Sequence, residues 1–218
     1  MTETKRREPK MREETVRKRE EILKAALTTF GNKGYNKGPL TEIADQVDIT
    51  HAGILHHFGS KDQLLLEVLS YRDATDVAEL EGQHIPGGLE LFRHLVKTAQ
   101  LNTQRLGIVQ AYVVLSSESV TDKHPARAFF ENRYATLRGE VRDAFEVVCA
   151  ENGVTDRSTV DEASASILAV MDGLQIQWLL DPKAVDLAKA TEFAINSILS
   201  MVLSPTRTVL DSPAPVTV

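Results

Sequence analysis

The sequence contains a single cysteine, Cys149, among 218 residues, so no disulfide bond can form within the chain. This cysteine content fits a reducing compartment, with Cys149 as an inert buried thiol. No apolar run reaches the roughly 18 residues that a membrane span needs, and the N-terminus opens with charged residues instead of a signal peptide. We therefore expect a cytoplasmic protein with no membrane partner.

Segments with the alternating polar and apolar pattern of strands are also lacking, whereas apolar residues recur at helical spacing along most of the chain. The hydrophobic content of 42% and the charged content of 26% are those of a globular protein. These patterns predict an all-α fold with about nine helices.

The sequence lacks an excess of positive charge, since 25 Lys and Arg stand against 31 Asp and Glu and the formal net charge is −6. The basic residues are, however, unevenly distributed along the chain. Up to Lys61 the chain has 12 Lys and Arg against 9 Asp and Glu, whereas the remainder has 13 against 22. Eight of the basic residues fall within the first 19 positions. Residues 1–15 lack apolar periodicity and are predicted to form a disordered basic arm, which serves either solubility or contact with phosphate.

Two short helices follow a first helix whose apolar stripe runs from Ile22 to Phe30, with Gly31 and Gly34 as stop signals. The first short helix begins near Pro39, and the second has Thr50 as its N-cap and reaches His56 or His57. A turn of about three residues joins them, which is the arrangement of a helix-turn-helix unit. Ser60 with Gln63 then resembles a capping box at the start of a fourth helix.

Enzyme chemistry has little support in the sequence, since we find no nucleophile motif and no phosphate-binding glycine loop. The close histidine pairs, His51 with His56 and His56 with His57, lack the spacing of residues that converge on one ion. We therefore expect no enzymatic activity, no metal and no cofactor.

The segment from Thr41 to Leu65, together with Ile22 to Phe30, resembles the DNA-binding region of the TetR family of regulators. The likeness covers about 50 residues and includes Ile43-Ala44, His57-Phe58 and Ser60-Lys61. It implies a three-helix helix-turn-helix domain at residues 16–60, a larger helical ligand-binding and dimerisation domain at 61–203, and a flexible tail at 204–218. The implied partners are double-stranded operator DNA, a second copy of the chain, and a small apolar or amphipathic effector.

Three places depart from the family pattern in this region, and the first is Gly38-Pro39, which replaces the usual Thr or Ser at the start of the second helix. Asp48 stands where the family has glycine in the turn, and Asp tolerates the left-handed conformation better than most residues. Leu55 occupies a place usually held by tyrosine, which contacts a phosphate in relatives, so that contact cannot be carried over; His56, which can donate to a base or to a phosphate, is the candidate to replace it. A ligand-binding helical protein with little DNA affinity therefore remains the alternative hypothesis.

The resemblance assigns residues to three sites. Without such functions, the predicted DNA contacts would be ordinary exposed polar residues, and the predicted effector contacts would be ordinary core residues. The predicted DNA contacts are Thr41, Thr50, His51, Gly53, His56, His57, Lys61 and Arg17, with Arg12 and Arg19 near the DNA backbone. The predicted effector contacts are His94, Tyr112, Phe130, Tyr134, Met171, Gln175 and Trp178. The predicted dimer interface contains Ala165, Ala169, Ala194, Ile195, Ile198 and Val202.

Overall fold

A computed structural model describes residues 7–77 and 87–204, and within these ranges the chain forms nine α-helices and no strand. This confirms the all-α expectation. The helices are α1 (Arg7–Lys37), α2 (Leu40–Gln46), α3 (His51–Phe58), α4 (Lys61–Val77), α5 (Gly88–Asn102), α6 (Leu106–Ser119), α7 (Arg127–Glu151), α8 (Val160–Leu180) and α9 (Leu187–Leu203).

The chain divides into two compact units. Of the described residues, 7–77 and 101–135 belong to the first unit, and 87–100 and 136–204 belong to the second. The division differs from the predicted boundary between residues 60 and 61. The reason is that α1 packs against both α4 and α6, so the helix-turn-helix shares its core with later helices.

Helix α1 begins at Arg7, not near Arg17, so the predicted disordered arm is wrong for residues 7–15. Residues 1–6 lie outside the described part of the chain. Apolar periodicity detects a helix only where the sequence has an apolar face, and residues 7–15 have no such periodicity. Glu, Lys and Arg favour helices, and opposite charges four residues apart add support, as in the Lys24–Glu20 pair at 2.6 Å.

The two glycines near the end of α1 have different roles. Gly34 interrupts the helix with a φ of 72°, in agreement with the predicted stop signal. Gly31 does not stop the helix, which continues past it. A Cβ atom at Gly31 would lie 3.1 Å from the Cβ of Ala111, so glycine here allows α1 and α6 to pack closely.

The core of the first unit is built from the apolar stripes that the sequence predicts. Ile22, Phe30, Ile43 and Ile54 are fully buried, and they pack with side chains of α4 and α6. Burial of such side chains is the main source of stability for helices as short as α2 and α3.

In the second unit, α8 packs against α9, and the rings of Phe92 and Phe145 lie 4.7 Å apart. Cys149 is fully buried and unpaired, as expected. In the described part of the chain, only α8 is long and apolar enough to span a membrane by length and composition. Its buried Ser164 and Gln175, and its packing on α9, are features of a core helix.

Candidate DNA interface and regulatory surfaces

The turn between α2 and α3 has the geometry that the sequence predicts. Asp48 adopts a φ of 52°, the left-handed conformation expected of a residue that replaces glycine. Thr50 has an extended backbone, and its Oγ1 accepts a hydrogen bond of 3.1 Å from the main-chain N–H of Gly53. Gly59 ends α3 with a φ of 78°. Caps at both ends define α3 as an eight-residue helix.

Helix α3 has one buried face and one exposed face. Ile54 and Phe58 are buried in the core of the first unit, one turn apart. Thr50, His51 and His56 are exposed, as is Thr41 on α2, and Gly53 is half-buried. The structure thus places these five predicted DNA contacts outside the core. Ala52, which sequence reasoning missed, is also exposed in the first turn.

His57 differs from the other predicted contacts because it is half-buried. Burial lowers the pKa of its imidazole, and the neighbouring His56, Arg19 and Lys18 act in the same direction. The ring is therefore neutral at pH 7 and can offer one donor and one acceptor, but no charge.

Lys61 does not extend freely from the start of α4. Its Nζ lies 4.5 Å from the centre of the Tyr35 ring, and burial lowers its pKa against the opposing effect of Asp62 and Glu118. The ammonium group thus makes a cation–π contact within the protein, and phosphate binding by Lys61 stays a prediction. Ser60 caps the start of α4, and its Oγ accepts a hydrogen bond of 3.0 Å from the N–H of Gln63. This bond is the Ser60 half of the predicted capping box.

The basic residues of α1 are also placed differently from one another. The Arg17 side chain is 74% exposed and pairs only loosely with Glu21, at 3.6 Å. The Arg19 side chain is directed into the protein, where it contacts His57, Phe58 and Glu67. The Arg19 guanidinium thus has partners in the protein, and its expected place near the DNA backbone stays a prediction. The side chain of Arg12 lies outside the described residues.

Three predicted effector contacts fall in the first unit. Phe130 and Tyr112 are buried with ring centres 5.7 Å apart, and the hydroxyls of Tyr112 and Tyr134 lie within hydrogen-bond distance, at 3.3 Å. Two guanidinium groups stand beside the Tyr112 ring, Arg72 at 4.4 Å and Arg133 at 5.5 Å from its centre. Sequence reasoning missed both arginines, because nothing in their spacing shows that α4 and α7 bring them to one aromatic ring.

The other four predicted effector contacts fall in the second unit. Met171, Gln175 and Trp178 are buried on α8, and His94 is half-buried on α5 with its Nε2 3.5 Å from the Thr98 hydroxyl. The side-chain oxygen of Gln175 is buried without a hydrogen-bond partner in the described part of the chain. A buried acceptor of this kind is costly unless something donates to it.

The predicted dimer residues divide into two groups. Ala165 and Ala169 are exposed, and Ala194 and Ile198 are half-buried. Ile195 and Val202 are only 3% and 4% exposed, so they pack inside the protomer and their assignment to an outer surface is wrong. Helix α9 has apolar residues on two faces, and periodicity in the sequence does not show which face lies inside the protomer.

The exposed apolar side chains of these two helices were missed. They are large and lie on the outer faces of α8 and α9, and they comprise Ile176, Leu180, Phe193 and Met201. Leu180 and Phe193 are 82% and 76% exposed, which is unusual for large apolar residues that remain in water.

A capped helix-turn-helix on a framework of helices, as residues 7–77 and 87–204 form, is an architecture shared by many DNA-binding regulatory proteins. Residues 22–68 match the family model of bacterial regulatory proteins of the tetR family, and residues 91–202 match that of the BetI-type transcriptional repressor C-terminal region. The chain belongs to the TetR family of transcriptional regulators.

Three relatives illustrate the match. The chain is 23% identical over 195 residues to the probable acrEF/envCD operon repressor of Escherichia coli, covering 86% of this chain and 88% of that protein. It is 29% identical to the transcriptional activator FasR of Mycolicibacterium smegmatis, covering 82% and 80%. The crystal structure of FadR from Bacillus subtilis in complex with stearoyl-CoA has a TM-score of 0.64 at 15% identity, covering 86% of this chain and 99% of that chain.

Proposed function

We propose that this protein is a cytoplasmic repressor that binds a palindromic operator as a homodimer and is released from it by a small apolar or amphipathic effector. The exposed face of α3 carries the proposal. Thr50, His51 and His56 project from a capped helix whose opposite side is anchored by Ile54 and Phe58. Such a helix fits the major groove, where imidazole and hydroxyl groups can bond to base edges.

Dimerisation is supported by the outer faces of α8 and α9. Leu180 and Phe193 would leave water if these helices paired with their copies in a four-helix bundle. A two-fold dimer presents its two recognition helices about one DNA turn apart, so we expect a palindromic site.

The effector proposal is supported by the aromatic and apolar groups of the buried interior. In the second unit, Met171 and Trp178 offer apolar surface, and Gln175 offers an acceptor without a partner among the described residues. Tyr112 and Phe130 in the first unit are a separate candidate surface. FadR of Bacillus subtilis was crystallised with stearoyl-CoA, an amphipathic molecule with a long apolar chain. We therefore propose an effector that combines an apolar body with at least one hydrogen-bond donor.

We propose repression because the Escherichia coli relative is named a repressor and because residues 91–202 match a model named for a transcriptional repressor. FasR, in contrast, is named an activator. The sign of regulation depends on where the operator lies relative to the promoter, so this part of the proposal is tested on the native promoter.

The test is a fluorescence-anisotropy titration with DNA from the region flanking the protein's own gene, against shuffled DNA of the same length. We expect tight binding to one palindromic segment and weak binding to shuffled DNA. His56→Ala should reduce specific binding about tenfold and leave binding to shuffled DNA unchanged, as loss of one base contact of about 1–3 kcal/mol predicts. Equal affinity for both DNAs would refute the proposal, and equal losses on both DNAs in His56→Ala would refute base contact by His56.

A further inference from the structure

Two adjacent basic residues of α1 each contact the C-terminal end of one helix of the helix-turn-helix. Lys18 Nζ donates a hydrogen bond of 3.2 Å to the main-chain carbonyl of Val47, the C-cap residue of α2. Arg19 donates to the main-chain carbonyl of His57, in the last turn of α3. Carbonyl groups at helix C-termini lack partners within the helix and carry partial negative charge, so a cation is favourable there.

Arg19 makes two more contacts at the same point. Its guanidinium lies over the Phe58 ring, 4.2 Å from the ring centre, and it forms an ion pair with Glu67 of α4. One planar group therefore joins three helices, α1, α3 and α4. Lysine has no planar set of donors and cannot stack on the ring while it bonds to two acceptors.

We propose that Lys18 and Arg19 are positioning residues for DNA recognition, which hold the C-terminal ends of α2 and α3 from α1 without touching DNA. The inference rests on the proposed DNA-binding function. A recognition helix must be held to within about 0.5 Å and 10–20° for its side chains to reach base edges. Removal of the hydrogen-bonded and stacked guanidinium would let the end of α3 move.

The test compares Arg19→Met with Arg17→Met over a series of salt concentrations. Both variants lose one positive charge from α1, but Arg17 is exposed, whereas Arg19 is bonded inside the protein. We expect Arg19→Met to lose about tenfold in operator affinity at every salt concentration, with an unchanged slope of log K against log salt. A slope reduced by about 0.9 in Arg19→Met would show a phosphate contact and overturn the proposal, as would an unchanged affinity.

Glu67→Gln gives a second test, because a phosphate contact and a positioning contact by Arg19 predict opposite changes in DNA affinity. If Arg19 served as a phosphate contact, loss of the carboxylate that pairs with it would strengthen DNA binding. Because we place Glu67 in the positioning contact, we expect this loss of negative charge to weaken operator binding severalfold. Stronger or equal binding in Glu67→Gln overturns the proposal, and this variant also serves if Arg19→Met does not fold.

Hydrogen exchange on the DNA-free protein separates this inference from the proposed function. We expect the main-chain amides of residues 54–58 to exchange faster in Arg19→Met than in Arg17→Met. Equal exchange in the two variants would overturn the proposal. If the unmodified protein binds no specific DNA, the proposed function fails, and the exchange comparison still decides whether Arg19 holds α3.

Discussion

The main-chain N–H of Tyr35 donates a hydrogen bond of 2.7 Å to the carboxylate of Glu118, which joins the end of α1 to the end of α6. The hydroxyl of Tyr35 donates to Asp62 in the first turn of α4. Burial and this hydrogen bond raise the pKa of Tyr35, so its phenol stays protonated as a donor. Tyr35 therefore connects the start of α4, which directly follows α3, to α6.

This connection depends on Gly34. Its φ of 72° combined with a ψ of 173° is a conformation essentially restricted to glycine, and an added Cβ would overlap the Glu118 carboxylate. We predict that Gly34→Ala lowers the free energy of unfolding by about 2–3 kcal/mol, measured by urea denaturation. Gly139→Ala is the control, because the Cβ there meets nothing within 4 Å, and it should stabilise α7 by about 0.5–1 kcal/mol. Similar stability of the two variants would contradict the argument.

His124, in the loop after α6, predicts a pH dependence of stability. Its Nε2 lies 3.8 Å from Glu118, close enough for an ion pair, but its Nδ1 accepts a hydrogen bond of 3.2 Å from the N–H of Ala126. Only an unprotonated nitrogen can accept, and burial lowers the pKa of His124 although Glu118 and Asp62 oppose this effect. We therefore regard the imidazole as neutral at pH 7.

The sign of the effect follows from the lowered pKa. Below the ordinary histidine pKa of about 6.5, the unfolded chain binds the proton more readily than the folded protein does. The free energy of unfolding should thus fall as pH drops from about 6.5 to the lowered pKa, and then become constant with respect to this group. His124→Asn, which keeps an acceptor but cannot titrate, should flatten this dependence in urea titrations between about pH 7 and 5. His57 contributes a residual slope of the same sign. A variant that retained the full slope would show that His124 is not its source.

The N-cap of α3 gives a prediction about Thr50. Thr50→Ala removes the acceptor for the Gly53 N–H and should cost about 1 kcal/mol of stability, whereas Thr50→Asn should keep most of it. Thermal unfolding measures both variants. Equal destabilisation by Ala and Asn would indicate that the Thr50 methyl group matters more than its oxygen.

The effector proposal can be tested at Gln175. Gln175→Met has nearly the same volume and removes a buried oxygen that has no partner in the described structure, so the effector-free protein should be as stable or about 1 kcal/mol more stable. The melting temperature of the variant should no longer rise with an effector that stabilises the unmodified protein. An unchanged response would remove Gln175 from the effector site.

The outer apolar residues predict the oligomeric state. We expect the unmodified protein to sediment as a dimer and Phe193→Glu to sediment as a monomer, since a charge buried in the two-fold interface would face its own copy. Glu192→Gln on the same helix is the control and should remain dimeric. Monomeric unmodified protein at micromolar concentration would argue against the α8 and α9 interface.

Local features of the helix-turn-helix were predictable because they depend on residues close in sequence. The cap at Thr50, the left-handed Asp48 and the start of α4 at Ser60 are set by backbone geometry and by donors a few residues away. The buried stripe of α1 followed from its spacing alone. The true start of α1 was missed because its first turns have no apolar face to detect.

By itself the sequence determined that the described part of the chain is helical, where its short helices begin and end, and which family it resembles. Only the tertiary structure decided which groups Arg19 and Lys61 contact, and which apolar side of α9 lies inside. Arg17 and Arg19 look equivalent in the sequence, yet one is exposed and the other contacts residues 38 and 48 positions away. The physical reason is that the chemistry of a side chain limits the kinds of partner it can have. Which of those partners lie beside it depends on how helices distant in the sequence pack together.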